Sequence, residues 1–96
     1  MTMKTATPKR ALIPAGCRTI EQVYDILARE IGLPAHFGRN LDALHDALTR
    51  DLAGPFEIVV EDAAGLAQAL GTRGPALLKL LRDVAKARKD ATITLG

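Results

Sequence analysis

Four polar residues in the middle of the chain recur at helical spacing. Asp42, His45, Asp46 and Thr49 stand at positions i, i+3, i+4 and i+7, which would place them on one face of an α-helix. We call this set the acidic strip. Two carboxylates on a rigid helix can bind a cationic partner through charge-assisted hydrogen bonds. Alternatively, the strip is the ordinary polar face of an amphipathic helix, and the spacing alone leaves both interpretations open.

The helix dipole explains the presence of one aspartate better than that of the other. Asp42 lies near the expected N-terminus, where a negative charge is favourable. Asp46 is explained less well in this way, because a second like charge four residues on costs a few tenths of a kcal/mol. Asp46 therefore favours the binding interpretation more than Asp42 does.

The remaining candidates for chemistry are His36, His45 and the single cysteine, Cys17. Neither histidine has a Ser, Cys or Lys beside it in a nucleophile pattern, and no Cys/His group has zinc-ligand spacing. The sequence also lacks a glycine-rich phosphate loop. We therefore predict a protein that is not an enzyme and binds no metal and no cofactor. His45 could pair with Asp42 one turn away, which would make the strip pH-sensitive.

The acidic strip requires a helix over residues 40–52. Asn40 can cap its N-terminus, and Gly54-Pro55 ends it. An apolar stripe on the opposite side points to the core and consists of Leu41, Leu44, Leu48 and Leu52. The strip would then face the solvent.

The other elements follow from local signals along the chain. A capping box over 19–22 starts a helix that ends near Gly32, Asp62 caps a helix over 63–70, and Pro75 lies in the first turn of the last helix. Strands are predicted at 11–13, 56–60 and 91–95. The order β-α-α-β-α-α-β predicts an α/β fold with a small three-stranded parallel sheet, packed by about four helices mainly on one side.

Length and composition predict one small cytoplasmic domain. With 96 residues, we expect a flexible N-terminal tail over 1–9 and a single domain over 10–96. There is no secretory h-region and no apolar run near the roughly 20 residues that span a bilayer, so no membrane partner is expected. The single cysteine suits a reducing compartment. We expect a monomer.

The net charge of +2 hides an asymmetric distribution. Residues 19–62 hold nine acids and three bases, whereas the segments on either side each carry a net charge of +4. The last helix has a basic stripe of Lys79, Arg82, Lys86 and Lys89. This stripe supports an alternative function, a nucleic-acid-binding or regulatory adaptor module. Nucleic acid is not the expected partner, because no aromatic side chains accompany the stripe to stack bases.

The segment from Leu33 to Thr49, LPAHFGRNLDALHDALT, resembles the core motif of the barstar family of ribonuclease inhibitors. In that family the motif runs leucine-proline, two aromatics, glycine, any residue, asparagine-leucine-aspartate-alanine-leucine, tryptophan, aspartate, and later leucine-threonine. The first helix and the final strand are also similar, so the resemblance covers residues 11–96. It implies the same α/β fold and an inhibitor that occludes the basic active site of a barnase-like ribonuclease, or of a related toxin.

The resemblance also implies which residues contact the partner. Asp46 matches the family's central aspartate, which mimics a phosphate, and Asp83 matches an acid on the last helix. The predicted partner-binding residues are His36, Phe37, Gly38, Asn40, Asp42, Ala43, His45, Asp46, Thr49 and Asp83.

The chain departs from the family pattern at several of these positions. His36 replaces an aromatic, and His45 replaces the tryptophan. Arg39 stands where the best-known member has an acid, Ala47 replaces a cysteine, and Ala87 replaces an acid of the last helix. These replacements reduce the aromatic area and add positive charge at the flank, so they leave open which nuclease or other basic protein is the partner.

Overall fold

A computed structural model describes residues 9–34 and 37–96. The elements are β1 (Lys9–Ile13), α1 (Ile20–Ile31), α2 (Leu41–Asp46), a π-helical segment (Ala47–Asp51), β2 (Phe56–Val60), α3 (Ala63–Leu70), α4 (Arg73–Ala87) and β3 (Ala91–Leu95). The predicted order and fold class are confirmed. The predicted tail, residues 1–9, lies almost wholly outside the described residues and stays a prediction.

The three strands form one parallel sheet in the order β1-β2-β3. The register pairs Ile13 with Val60 and Val60 with Leu95. On one face of the sheet, Ala11 and Ile13 of β1 and Ile58 of β2 are fully buried. Their alternating neighbours are exposed or half-buried, and Leu12 is 44% exposed. This alternation agrees with the prediction that helices pack mainly on one side of the sheet.

Local caps set the helix boundaries as the sequence predicts. The Thr19 hydroxyl accepts a hydrogen bond from the Gln22 backbone N–H at 3.2 Å, and the Gln22 side chain accepts from the Thr19 N–H at 3.2 Å, which completes the capping box. Gly32 ends α1 in the left-handed region with φ 77°. The Asp62 carboxylate caps α3 by accepting from the Gly65 N–H at 3.0 Å.

Helix α4 begins at Arg73, so Pro75 lies in its first turn, as the sequence predicts. Gly74 therefore lies inside the first turn and is buried. A Cβ atom at this position would lie 2.3 Å from the Ala67 carbonyl oxygen, so the turn between α3 and α4 is tight enough to require glycine. Ala87 is exposed at the last turn of this helix.

The hydrophobic core lies between the sheet and the helices. It includes Val23 and Leu27 of α1, Leu44 of α2, Leu48 of the π-helical segment and Leu81 of α4, all at 0% exposure. Within residues 9–34 and 37–96, no helix combines the length and apolar character that crossing a membrane requires.

Candidate protein-interaction site

Asn40 joins the loop before α2 to the helix itself. Its side-chain oxygen accepts a hydrogen bond from the Ala43 N–H at 2.8 Å, and its amide nitrogen donates to the Gly38 carbonyl at 3.2 Å. The predicted cap is therefore confirmed. A Cβ atom on Gly38 would approach Ala43 Cβ and Asn40 Nδ2 at 3.2 Å, so the loop is closely folded against the first turn.

Helix α2 presents the acidic residues to solvent and its leucine to the core. Asp42, His45 and Asp46 are exposed, and the Asp46 side chain is 63% exposed. Leu44 and the following Ala47 and Leu48 are buried. This amphipathic division confirms the orientation predicted from the leucine spacing, although Leu41 is only half-buried.

The predicted pair between His45 and Asp42 is wrong. The imidazole instead turns to the adjacent residue, and its Nδ1 lies 4.0 Å from Asp46 Oδ1. This separation exceeds hydrogen-bond length. Both aspartates of the strip consequently keep their carboxylates open to solvent.

The helix changes its hydrogen-bond register after Asp46. From Ala47 to Asp51 it is π-helical, and the Leu52 N–H donates to the Ala47 carbonyl five residues back at 2.9 Å. Thr49 is half-buried, and its hydroxyl donates to the His45 carbonyl at 2.7 Å. The predicted continuous α-helix over 40–52 is thus wrong in its second half. Short π-helical turns of this kind occur often at functional sites.

Arg88 secures the end of the π-helical segment. Its guanidinium donates to the carbonyls of Leu48 and Leu52 at 3.0 and 2.6 Å, and it forms two hydrogen bonds with the Asp90 carboxylate. The guanidinium also lies over the Phe56 ring, 5.1 Å from its centroid. With only 16% of its side chain exposed, Arg88 is a structural residue and does not add to the exposed basic stripe.

Arg39 folds back onto α1 from a left-handed conformation with φ 50°. It donates to Asp25 Oδ1 at 2.9 Å, and its guanidinium lies 5.5 Å from the centroid of the Tyr24 ring. A cleft of about 300 Å³ separates this contact from Asp42 and from Arg73 at the start of α4. The positive charge expected at the flank of the strip is therefore paired with an acid of α1.

The aromatic contacts of the loop are partly buried. Phe37 is half-buried and meets Tyr24 edge-on, with ring centroids 5.5 Å apart. Tyr24 is 2% exposed, and burial raises the pKa of its phenol. Little aromatic surface from these two residues therefore remains for a partner. His36, predicted to contact the partner, lies outside the described residues.

A groove between α2 and α4 joins the strip to Asp83. Its volume is about 290 Å³, and Asp42 and His45 line it together with Lys79 and Asp83. Asp83, which the resemblance assigns to partner binding, therefore lies close to the strip, and its role in binding stays a prediction. Lys79 was missed as a neighbour of this acid, and the i,i+4 spacing of the two residues could have indicated it.

Cys17 is separate from this surface. Its side chain is buried as a free thiol, and burial raises the pKa of that thiol. In the described part of the chain, no three His, Cys, Asp or Glu side chains cluster in a way that could hold a metal ion.

Comparison with known proteins gives the family of this fold. The family model described as Barstar (barnase inhibitor) matches residues 9–95. A relative from Bacillus subtilis (strain 168), "Putative ribonuclease inhibitor YrdF", is 31% identical over 71 residues, which cover 74% of this chain and 78% of the relative. The family match over residues 9–95 includes the loop before α2, α2 itself, the π-helical segment and all three strands, and the chain belongs to the barstar family.

Proposed function

We propose that this protein inhibits a basic ribonuclease, barnase-like or a related toxin, by placing its acidic strip and the preceding loop in the nuclease active site. Membership of the barstar family and the name of the Bacillus subtilis relative support an inhibitor. The observation that carries the proposal is that Asp42 and Asp46 are exposed on a helix whose opposite side is anchored in the core.

The chemistry of an RNA-cleaving site explains this choice of residues. Such a site holds phosphate with cationic side chains, and a carboxylate can take the place of phosphate through charge-assisted hydrogen bonds. In our proposal Asp46 is the central group. The residues around it are His36, Phe37, Gly38, Asn40, Asp42, Ala43, His45, Thr49 and Asp83. Binding alone would block the site, so the inhibitor needs no catalytic group of its own.

A preformed surface favours binding because less conformational entropy is lost when it docks. Asn40 holds the loop at one end of the strip, and Arg88 holds the π-helical segment at the other. Leu44 and Leu48 fix the orientation of the helix between them. These contacts support an inhibitor that binds its target with little rearrangement. We also propose that it acts as a cytoplasmic monomer.

Inhibition of RNA cleavage by barnase and a panel of basic ribonucleases tests the proposal. Asp46→Asn removes one charge while keeping the shape, so the inhibition constant should rise at least about 30-fold, as expected for a central interface residue. Glu30→Gln is the matched control, because Glu30 is an exposed acid on α1 whose partner is the neighbouring Arg29. Equal inhibition by both variants would contradict the proposal, as would the absence of inhibition across the panel.

The basic stripe supports the alternative function only in part. Lys79, Arg82, Lys86 and Lys89 are all exposed on or just after α4, as an RNA-binding surface would need. However, Tyr24 and Phe56 are buried and Phe37 is half-buried, so the three aromatic residues provide no exposed platform for bases. Binding to RNA that falls steeply with salt and is lost in Lys86→Gln would favour this alternative.

A further inference from the structure

Lys79 and Asp83 form an ion pair in the middle of α4. Lys79 Nζ lies 3.6 Å from Asp83 Oδ2, one helical turn away. The lysine side chain is 79% exposed, whereas the aspartate side chain is 44% exposed. A cation of the same chain thus already contacts Asp83, the acid that the proposed function uses to bind the partner.

The groove between α2 and α4 makes this pair relevant to binding. Leu41, Ala76 and Leu80 provide its apolar part, and the carboxylates of Asp42 and Asp83 belong to its opposite walls. Lys79 lines the same groove. A cationic group of a partner that approaches Asp83 along this open groove therefore meets the Lys79 ammonium beside the carboxylate.

We propose that Lys79 is a specificity-determining residue that competes with cationic groups of the partner for Asp83. This inference rests on the proposed function, because it concerns the same surface. Lys79 selects for a partner that displaces it or tolerates a positive charge at this edge, and it weakens binding to other basic proteins. Like charges placed together at an interface suppress wrong partners in this way.

The exposure of Lys79 sets the strength of this competition. A mobile, strongly hydrated lysine in an exposed ion pair is held weakly, so it hinders a competing cation without excluding it. Removing its charge should strengthen the binding of a cationic probe by roughly two- to fivefold, the range expected from an exposed pair. The effect should depend on Asp83.

Lys86 provides a matched control on the same helix. It is exposed like Lys79, but it does not line the groove and makes no ion pair within 4.0 Å among the described residues. Lys79→Gln and Lys86→Gln change the net charge equally. A difference in affinity between the two variants therefore reflects the position of Lys79 in the groove and not the change in net charge.

The experiment uses tetra-arginine amide as the probe and follows the titration by NMR, including the side-chain carboxyl carbon of Asp83. The expected result is tighter binding to Lys79→Gln than to Lys86→Gln by roughly two- to fivefold, with the largest shifts in the groove. This gain should disappear when Asp83→Asn is added to Lys79→Gln. Equal affinities for the two lysine variants, or a gain that persists without the Asp83 carboxylate, would overturn the inference.

Inhibition assays with barnase separate this inference from the proposed function. If Lys79→Gln gains affinity for tetra-arginine amide while no variant inhibits barnase or the ribonuclease panel, Lys79 still controls access of cations to Asp83, and only the proposed target fails. If the protein inhibits a nuclease, but Lys79→Gln and Lys86→Gln have equal affinities for tetra-arginine amide and inhibit the nuclease equally, only the inference about Lys79 fails.

Discussion

Arg39 and Arg88 both bind other groups of the protein and so add little positive charge to the surface near the acidic strip. Arg39 follows the glycine of the loop and would add positive charge beside the acidic strip if it pointed outward. Instead it reaches back to Asp25 and Tyr24 of α1. Arg88 likewise turns inward to two backbone carbonyls. The surface near the strip is therefore less basic than a count of residues predicts.

Two substitutions at Arg39 distinguish the loss of its side-chain contacts from the strain of its left-handed backbone. Arg39→Ala loses the ion pair and the contact with Tyr24 while keeping φ 50°, so it should lower the free energy of unfolding. Arg39→Gly loses the same contacts but relieves the backbone, since a left-handed non-glycine residue costs about 1–2 kcal/mol. Urea denaturation should therefore show the glycine variant to be about 1 kcal/mol more stable than the alanine variant. An alanine variant as stable as the glycine variant would contradict the backbone assignment.

Asp90 makes the free energy of unfolding depend on pH, and the sign of this dependence follows from its contact with Arg88. The hydrogen bonds from Arg88 hold the pKa of the Asp90 carboxyl below its usual range. A lowered pKa in the folded state contributes stability above the unfolded pKa, and that stability is lost as the pH falls through the folded pKa. The difference in unfolding free energy between wild type and Asp90→Asn should thus be constant from neutral pH to about pH 5 and shrink at lower pH.

Arg88→Met provides the control for Asp90. In that background the guanidinium is absent, so Asp90→Asn should have an effect on stability that changes much less with pH. The measurement is chemical denaturation of the four proteins across the acidic range. A difference between wild type and Asp90→Asn that grows as the pH falls would show that another interaction of Asp90 dominates.

At the scale of elements, the sequence predicts those helix starts that depend on contacts between neighbouring residues. Thr19, Asn40 and Asp62 cap their helices through side chains within the first turn, so sequence spacing alone identifies them. The β-branched strand at 56–60 was equally clear. The prediction that Pro75 lies in the first turn of the last helix also agrees with the structure, and Gly74 beside it allows close packing against Ala67.

The π-helical segment could not be predicted because residues distant in sequence stabilise it. Arg88 donates to the carbonyl of Leu48 within the segment and to that of Leu52 just after it, 40 and 36 residues away in the sequence. The chain then passes Gly54, where a Cβ atom would overlap the Asp90 carboxylate. These contacts favour an extra residue in the last turn. The leucine spacing nevertheless identified the buried side correctly, since Leu44, Leu48 and Leu52 are all buried.

Arg88→Ala tests whether these hydrogen bonds from Arg88 stabilise the π-helical segment. The substitution leaves two carbonyls without their donor, and charge-assisted hydrogen bonds contribute about 1.5–3 kcal/mol each in net terms. We expect the free energy of unfolding to fall by about 2–4 kcal/mol. Arg88→Lys should recover little, because a single ammonium cannot reach both carbonyls and form a bidentate pair with Asp90.

Hydrogen exchange distinguishes this local effect from a general loss of stability. Under native conditions, the amide of Leu52 should lose protection in Arg88→Ala by more than amides of α1 do. Arg82→Ala is the matched control, since Arg82 is an exposed arginine of α4, the helix that Arg88 follows, and should change stability by no more than about 0.5 kcal/mol. Uniform loss of protection across the protein would contradict a specific role at the π-helical segment.

For the whole molecule, the distribution of charge is more informative than its sum. Residues 19–62, with a net charge of −6, include α1, α2 and β2, whereas the C-terminal segment that forms α3, α4 and β3 has +4. The protein thus has an acidic surface although its net charge is +2. The dependence on salt can show which of these two properties governs the proposed association with a basic nuclease.

The two possibilities predict opposite effects of salt on the association rate with a basic ribonuclease. If the net charge of +2 dominates, the proteins repel each other and added salt speeds association. If the acidic strip faces the nuclease during encounter, salt screens an attraction, and the rate falls as the Debye length decreases from about 30 Å at 0.01 M to about 10 Å at 0.1 M. We expect the second result in stopped-flow measurements. Asp46→Asn should flatten this dependence and Glu30→Gln should leave it nearly unchanged, because only Asp46 lies on the strip; an association rate that rises with salt would show that the strip does not guide the encounter.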